Sequence, residues 1–307
     1  STPHLKQFFD DIDVAENEWM PKCNATYKNG IRFENWSTKP GFESYFHPFA
    51  SKIDAFSAPV FLYNNMLRRK GIDIHAHPDR YYLAASLATE FKAPINAENF
   101  PFEVGYGYHF DAVLLSQFLK ALATKRGIRH IDAQVTGVNQ HASGDISNLV
   151  LDNGEVVTGD MFFDCSGFNG LLIDKTLKVP FKSFSDNLLC DNAIAIPSSQ
   201  ESNIGSQTVS QAMDYGWTWE IPLTNRIGNG YVYSSKYCTK DEAETELRRK
   251  LNLLDSDVTA RHIKMNVGRR SLHWNKNTVA VGLSQGFIEP LEATAIVFII
   301  ETVKAFL

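Results

Sequence analysis

The sequence predicts a mixed α/β (α+β) fold, and three stretches of it carry that prediction. The first is a helix between Asp111 and Gly127, where Leu114, Phe118 and Leu122 repeat at i, i+4 and i+8 with Leu115 and Leu119 alongside. The second follows it: short β-like pieces at 133–138, 146–151 and 155–157, then the apolar strand Met161-Phe162-Phe163. The third is a strand over 278–281, a loop through Gly282 and Gly286, and a helix with Pro290 in its first turn. Helices and strands thus share one chain, as a layered fold requires.

Taken in order, Leu5, Phe8, Phe9 and Ile12 stand at helical spacing near the start. The aromatic-rich stretch Phe33, Trp36, Phe42, Tyr45, Phe46 and Phe49 is broken by Pro, Gly and Asn, which predicts strands and loops. Asp111 is placed to cap the central helix and Gly127 to close it. Ser143-Gly144-Asp145 and Asp152-Asn153-Gly154 are the turns of the meander. Trp217-Thr218-Trp219-Glu220-Ile221-Pro222 alternates as a strand with both tryptophans on one face. Thr239 and Glu242 have capping-box spacing ahead of a charged helix to about Leu251, with Glu244–Arg248 and Glu246–Lys250 as i, i+4 pairs.

Composition narrows the function classes. The 307 residues are 44% apolar and 21% charged, which excludes disorder and leaves ample material for a core. Thirty Lys+Arg against 35 Asp+Glu give a charge of -5, so no basic surplus points to nucleic acid. Cys23, Cys165, Cys190 and Cys238 are widely spaced without a CxxC pair, which is cytoplasmic usage rather than a disulfide or zinc framework. His75 and His77 have no acidic or Cys partner nearby in sequence, and no metal site is expected. The run from Ala295 to Ile300 is too short to span a membrane. The chain opens Ser1-Thr2-Pro3-His4 without Met or a signal peptide, and it ends inside an apolar helical pattern. An internal piece of a longer protein, truncated at both ends, is the expectation.

Four places can carry chemistry. The Asp164-Cys165-Ser166-Gly167 turn follows a buried strand, where a glycine lets backbone approach a cofactor or simply ends the strand. No full G-x-G-x-x-G is present, so a dinucleotide's phosphate loop would lie upstream of Ser1. In the run from Gly282 to Glu292, the amides of Thr294 and Ala295 beyond it can bind an anion, while Glu289 and Glu292 can equally be helix-start carboxylates. The two tryptophans can be core. Lys28, among Cys23-Asn24-Ala25-Thr26-Tyr27-Lys28, can be a partly buried amine or an ordinary solvated one.

Together these segments resemble the flavin-dependent tryptophan halogenases. The resemblance rests on CNATYK ending at Lys28, Tyr108-His109-Phe110-Asp111-Ala112, DCSGFNGLLI from Asp164, GWTWEIPL from Gly216, GYVYSS from Gly230 and NTVAVGLSQGFIEPLEATAI from Asn277. The W-x-W-x-I-P element separates this family from other flavin monooxygenases. The resemblance implies a flavin-monooxygenase-like, Rossmann-type FAD module (about 104–173 and 260–307) interwoven with a substrate module (about 20–103 and 174–259). It implies reduced FAD from a separate NAD(P)H flavin reductase, chloride or bromide as co-substrate, and an indolic substrate such as tryptophan. Halide is oxidised to hypohalous acid, which reaches the lysine (Lys28) and is assisted by the glutamate (Glu292). Thr294 and Ala295 are the implied halide amides; Ser166, Gly167, Gly282, Leu283, Glu289, Pro290 and Ile296 the implied FAD contacts; His47, Phe49 and Trp217 the implied aromatic pocket. A homodimer and a role in antibiotic biosynthesis also go with the resemblance. An aromatic hydroxylase, which would need no special lysine, is the alternative reading, as is a flavin binder without turnover. One departure stands out: where the family reads Leu-Glu-Ser-Thr-Gly, this chain has Leu291-Glu292-Ala293-Thr294-Ala295, so glycine's φ freedom at 295 is lost.

Overall fold

The computed structural model describes residues 1–200 and 203–307. Its contacts gather into two units, one of residues 1–118, 192–263 and 291–294, the other of 119–191, 264–290 and 295–307.

The first unit is built on a seven-stranded sheet in the order 261–264, 192–198, 227–233, 216–222, 208–213, 30–34, 44–48. Strand 208–213 pairs with 30–34 in parallel, while 192–198 runs antiparallel to 227–233, and 216–222 antiparallel to both 227–233 and 208–213. Ile194, Ile196, Tyr231 and Tyr233 project from one face onto Ala243 and Leu247 of the helix Lys240–Lys250. Burying a side chain of that size contributes roughly 1.5–3 kcal/mol, so this seam anchors the helix. Its capping box forms as expected: the Thr239 amide donates to Glu242 at 2.9 Å, and the Glu242 amide to Thr239 Oγ1 at 3.3 Å. Arg248 meets Glu244 at 2.8 Å. The other expected pair does not form, because Glu246 accepts the Tyr231 hydroxyl at 2.8 Å and the Asp214 amide at 3.3 Å. The sheet beneath the helix supplies a closer partner than Lys250.

A two-stranded antiparallel ribbon, Thr26–Lys28 with Gly107–His109, belongs to this unit. That pairing draws 104–118 into contact with the chain's start, although sequence order groups this stretch with 119–173. Asp111 then caps the helix Ala112–Lys125, its Oδ1 accepting the amides of Val113 at 2.9 Å and Leu114 at 3.2 Å. Two helices that the aromatic stretch does not announce, Ala58–Arg69 and Leu83–Thr89, also fold here. Pro59 in the first turn of the former is the signal that could have found it.

The second unit holds three three-stranded sheets. The meander is Val135–Gln140, Ile146–Leu151 and Val156–Thr158, within two residues of the sequence reading. Strand Phe162–Asp164 lies parallel to Thr278–Ala280, the pairing a Rossmann-type module needs. Ile146, Phe162 and Leu172 bury together behind them. The last helix, Thr294–Phe306, starts four residues later than Pro290 suggests. Leu291 and Glu292 form a turn and Ala293 takes φ +56°, which no right-handed helix can contain. No helix among the described residues is long and apolar enough to cross a membrane.

Candidate functional site

Lys28 is the least ordinary side chain of the first unit: a lysine only 3% exposed, at the end of the strand Thr26–Lys28. Its Nζ lies 5.6 Å from the centre of the Phe49 ring, within range of a cation–π contact. Burial pushes its amine down to about 8, and the Glu292 carboxylate pulls in the opposite direction. Glu292 itself is exposed in the turn before the last helix, and the late helix start removes it from the first helical turn. Phe49 and Glu292 thus both act on Lys28 although they stand far from it in the chain.

The aromatic candidates are arranged less uniformly. Phe49 is tied beside Lys28 by its amide, which donates to the Asn29 carbonyl at 3.0 Å. His47 pairs with Ile31, and its exposed ring stands 6.4 Å from Phe33. Strand register puts His47, Phe33, Tyr45 and Trp217 on the same face of the large sheet. Trp217 is only 4% exposed there, against Trp219 at 6.1 Å and Trp36 at 6.5 Å. Trp36, which carries no role in the sequence reading, is the half-exposed ring over it, and its indole N–H is fastened to the Ser210 carbonyl at 3.0 Å.

In the second unit a cavity of about 390 Å³ is bordered by Gly268, Gly282, Leu283, Gly286, Phe287 and Ala295, among others. Gly282 has φ +68°, and a Cβ on Gly286 would lie 2.6 Å from the Gly268 carbonyl oxygen. Backbone forms part of the wall, and at Gly268 and Gly286 the pairing of the strands that build it leaves no room for a Cβ. Gly282, Leu283 and Ala295 were marked in the sequence; Gly268 and Phe298 were not, because an isolated glycine or helix phenylalanine signals nothing. Ala295 sits in the helix without positive φ, so the glycine absent at this position is not needed for the backbone. Thr294 and Ala295 open a helix whose first amides have no intrahelical acceptor.

The remaining cofactor candidates lie elsewhere. Ser166 is bound within its own loop: its amide and hydroxyl donate to Asp164 at 3.0 and 2.5 Å, while it accepts the Leu171 amide at 2.7 Å. Gly167, at φ +68°, has open space where a Cβ would be. Glu289 accepts a hydrogen bond from the Cys190 thiol, and burial together with that carboxylate pushes the thiol up to about 12. Pro290 lies outside any helix or strand, and Ile296 is half-buried in the last helix.

Over all 307 residues the sequence matches the tryptophan halogenase family. The chain belongs to that family. It is 38% identical to the tryptophan 6-halogenase SttH of Streptomyces toxytricini over 96% of this chain and 60% of that protein. It is 35% identical to the tryptophan 7-halogenase RebH of Lentzea aerocolonigenes, over 97% of this chain and 59% of the other. The crystal structure of SttH superposes with a TM-score of 0.86 at 35% identity, covering all of this chain and 64% of SttH. BrvH, a flavin-dependent halogenase from Brevundimonas, superposes at 0.85 with 35% identity, over 99% and 63%. The chain thus spans about 60% of the length of these halogenases.

The glycine-walled cavity fits part of a flavin. Its volume suits a flat ring system, and its side chains are mostly apolar. Gly282 and Leu283 would lie against such a ring; Gly167, with its open φ-positive face, would tolerate a cofactor edge.

Proposed function

We propose that this chain is part of an FAD-dependent halogenase that places chlorine or bromine on the ring of tryptophan or another indole. The observation that carries this reading is Lys28: a buried amine, lowered to about 8, pressed to an aromatic ring and under the field of one carboxylate. A hydroxylase has no use for such a group. At neutral pH roughly one such amine in ten is uncharged, so both the donating and the nucleophilic forms are accessible.

Bound reduced FAD, with O2, supplies the oxidation of halide to hypohalous acid, and a separate NAD(P)H flavin reductase supplies the reduced flavin. Gly282 and Leu283 would hold the ring system, with Ser166, Gly167, Glu289, Pro290 and Ile296 as further contacts. The amides of Thr294 and Ala295 would bind chloride or bromide at the helix start. Lys28 would hold the hypohalous acid by hydrogen bond or take the halogen on Nζ. The aromatic neighbours exclude water, which keeps the oxidant from dispersing. His47, Phe49 and Trp217 would present the indole by face stacking. Glu292 would accept the proton that the ring loses.

The test supplies the enzyme with reduced FAD, O2, halide and tryptophan. Lys28→Ala is expected to abolish halogenated product while flavin oxidation continues. Product formed by the variant would remove Lys28 from the reaction.

A further inference from the structure

The strand pairing around Lys28 brings a second titratable group to its side. In the ribbon, Thr26 stands opposite His109 and Lys28 opposite Gly107. Directly opposed residues share a face, so this face carries Thr26, Lys28, Gly107 and His109 and nothing else from the ribbon. Gly107 has no side chain, and the backbone of Ser1 and Thr2 lies over it, a Cβ there meeting the Ser1 carbonyl oxygen at 2.7 Å; no side chain of the opposing strand separates Lys28 from the imidazole diagonal to it. His109 and Lys28 are each only 3% exposed.

Hydrogen bonds set the form of that imidazole. Thr26 Oγ1 donates to the Pro222 carbonyl at 2.7 Å, so toward His109 Nδ1, 3.1 Å away, it can only accept. Nδ1 therefore carries the hydrogen. Nε2 is left as the acceptor for the Thr208 hydroxyl at 2.9 Å. A neutral imidazole with one fixed tautomer satisfies all three partners; an imidazolium would present Nε2–H to a hydroxyl that must then turn.

We infer that Lys28 and His109 form a coupled pair on one dry face, able to hold a single positive charge between them, so that His109 becomes the proton's site when Lys28 gives up its charge. Burial, and then the Lys28 ammonium, push the imidazole well below its ordinary range, as this pairing requires. The other charges nearby are accounted for. Glu292 acts on Lys28, Asp111 is paired with Arg226 at 2.7 Å, and the Ser1 amine, bound to the Tyr108 carbonyl at 2.6 Å, also faces His109.

The use of the pair rests on the halogenase reading. If hypohalous acid transfers its halogen to Lys28, R–NH3⁺ + HOX gives R–NHX + H2O + H⁺. An N–X bond forms and the O–X bond breaks; one ammonium proton leaves in the water and a second must be placed. The Lys28 charge, which acts beside burial to hold His109 neutral, has then gone, and the imidazole can accept that proton. His109 thus acts through Lys28 and is a positioning residue, not a group that touches substrate.

The coupling can be measured without turnover, by long-range ¹⁵N–¹H NMR of the histidine rings in protein with its Ser1 amine acylated. In the unsubstituted protein His109 is expected to remain the neutral Nδ1–H tautomer from pH 8.5 to 5.5. In Lys28→Met its proton affinity is expected to rise tenfold or more, moving its titration up by at least one pH unit. Lys28→Gln serves as a second uncharged variant should Lys28→Met misfold. An Nε2–H tautomer, an imidazole already charged at neutral pH, or titration unchanged within twofold in the uncharged variants would each overturn the pairing. Loss of halogenation without these outcomes would speak to the halogenase reading alone.

Discussion

The Lys28 ribbon and the glycine-walled cavity are specialised in opposite ways. The ribbon concentrates polar side chains in a place without water: Lys28, His109, Thr26 and Thr208 are all under one-tenth exposed. The cavity is shaped by side chains that are missing, at Gly268, Gly282 and Gly286. In the first region the chemistry lies in ionisation, which burial tunes; in the second the wall depends on tight backbone packing, which a methyl group on Gly268 or Gly286 would disturb. Mutations should therefore fail differently in the two. Ribbon variants should change reactivity and pH response, and cavity variants should change flavin binding and packing.

The largest expected effect is on rate. Glu292→Gln should lower halogenation by roughly 100- to 10,000-fold, the loss usual for a positioned acid–base group, with flavin affinity unchanged. Near-normal turnover in a quenched product assay would strip Glu292 of its role in the reaction.

Next comes a stability effect with a pH signature. The folded pKa of Lys28 is about 8, against an ordinary 10.5. Between those values the unfolded chain holds a proton that the folded chain has released, so stability rises with pH across that interval and is lowest below it. Lys28→Met should therefore stabilise the protein at pH 7 by roughly 3 kcal/mol, with the advantage fading toward pH 10.5. Thermal melts of both proteins at several pH values would show it. A pH-independent difference would mean that Lys28 ionises as a solvated lysine.

The cavity should respond to size alone. A Cβ at Gly286 would also lie 2.8 Å from the Arg269 Cα, and backbone cannot swing aside as a side chain does. Gly286→Ala should cost about 1–3 kcal/mol and weaken flavin binding, with no change in the Lys28 pH response. Unaltered flavin titration would place the ring elsewhere. The smallest effect belongs to a site outside both regions: Thr239→Ala should cost about 1 kcal/mol in chemical denaturation and leave flavin binding untouched. A change in flavin affinity there would blur the contrast between the two regions.

Local patterns were legible in the sequence because they depend on near neighbours. The Asp111 cap, the Thr239–Glu242 box, the meander over 135–158 and the alternating tryptophans all fold from spacing and turn chemistry within a few residues. Family motifs further marked Lys28, Glu292 and the Gly282 loop, and the chain's match to the tryptophan halogenases is independent of any coordinates. What needed the tertiary structure was everything set by partners distant in the chain. Glu246 pairs with Tyr231 rather than Lys250 because the helix packs on a sheet. Ala293 at φ +56° delays the last helix and frees Glu292 from it. Nothing near residue 28 in sequence says that a strand some eighty residues later will cover it with a glycine and a histidine. Desolvation is a property of what closes over a group, and long-range pairing alone turned an ordinary lysine into a buried one.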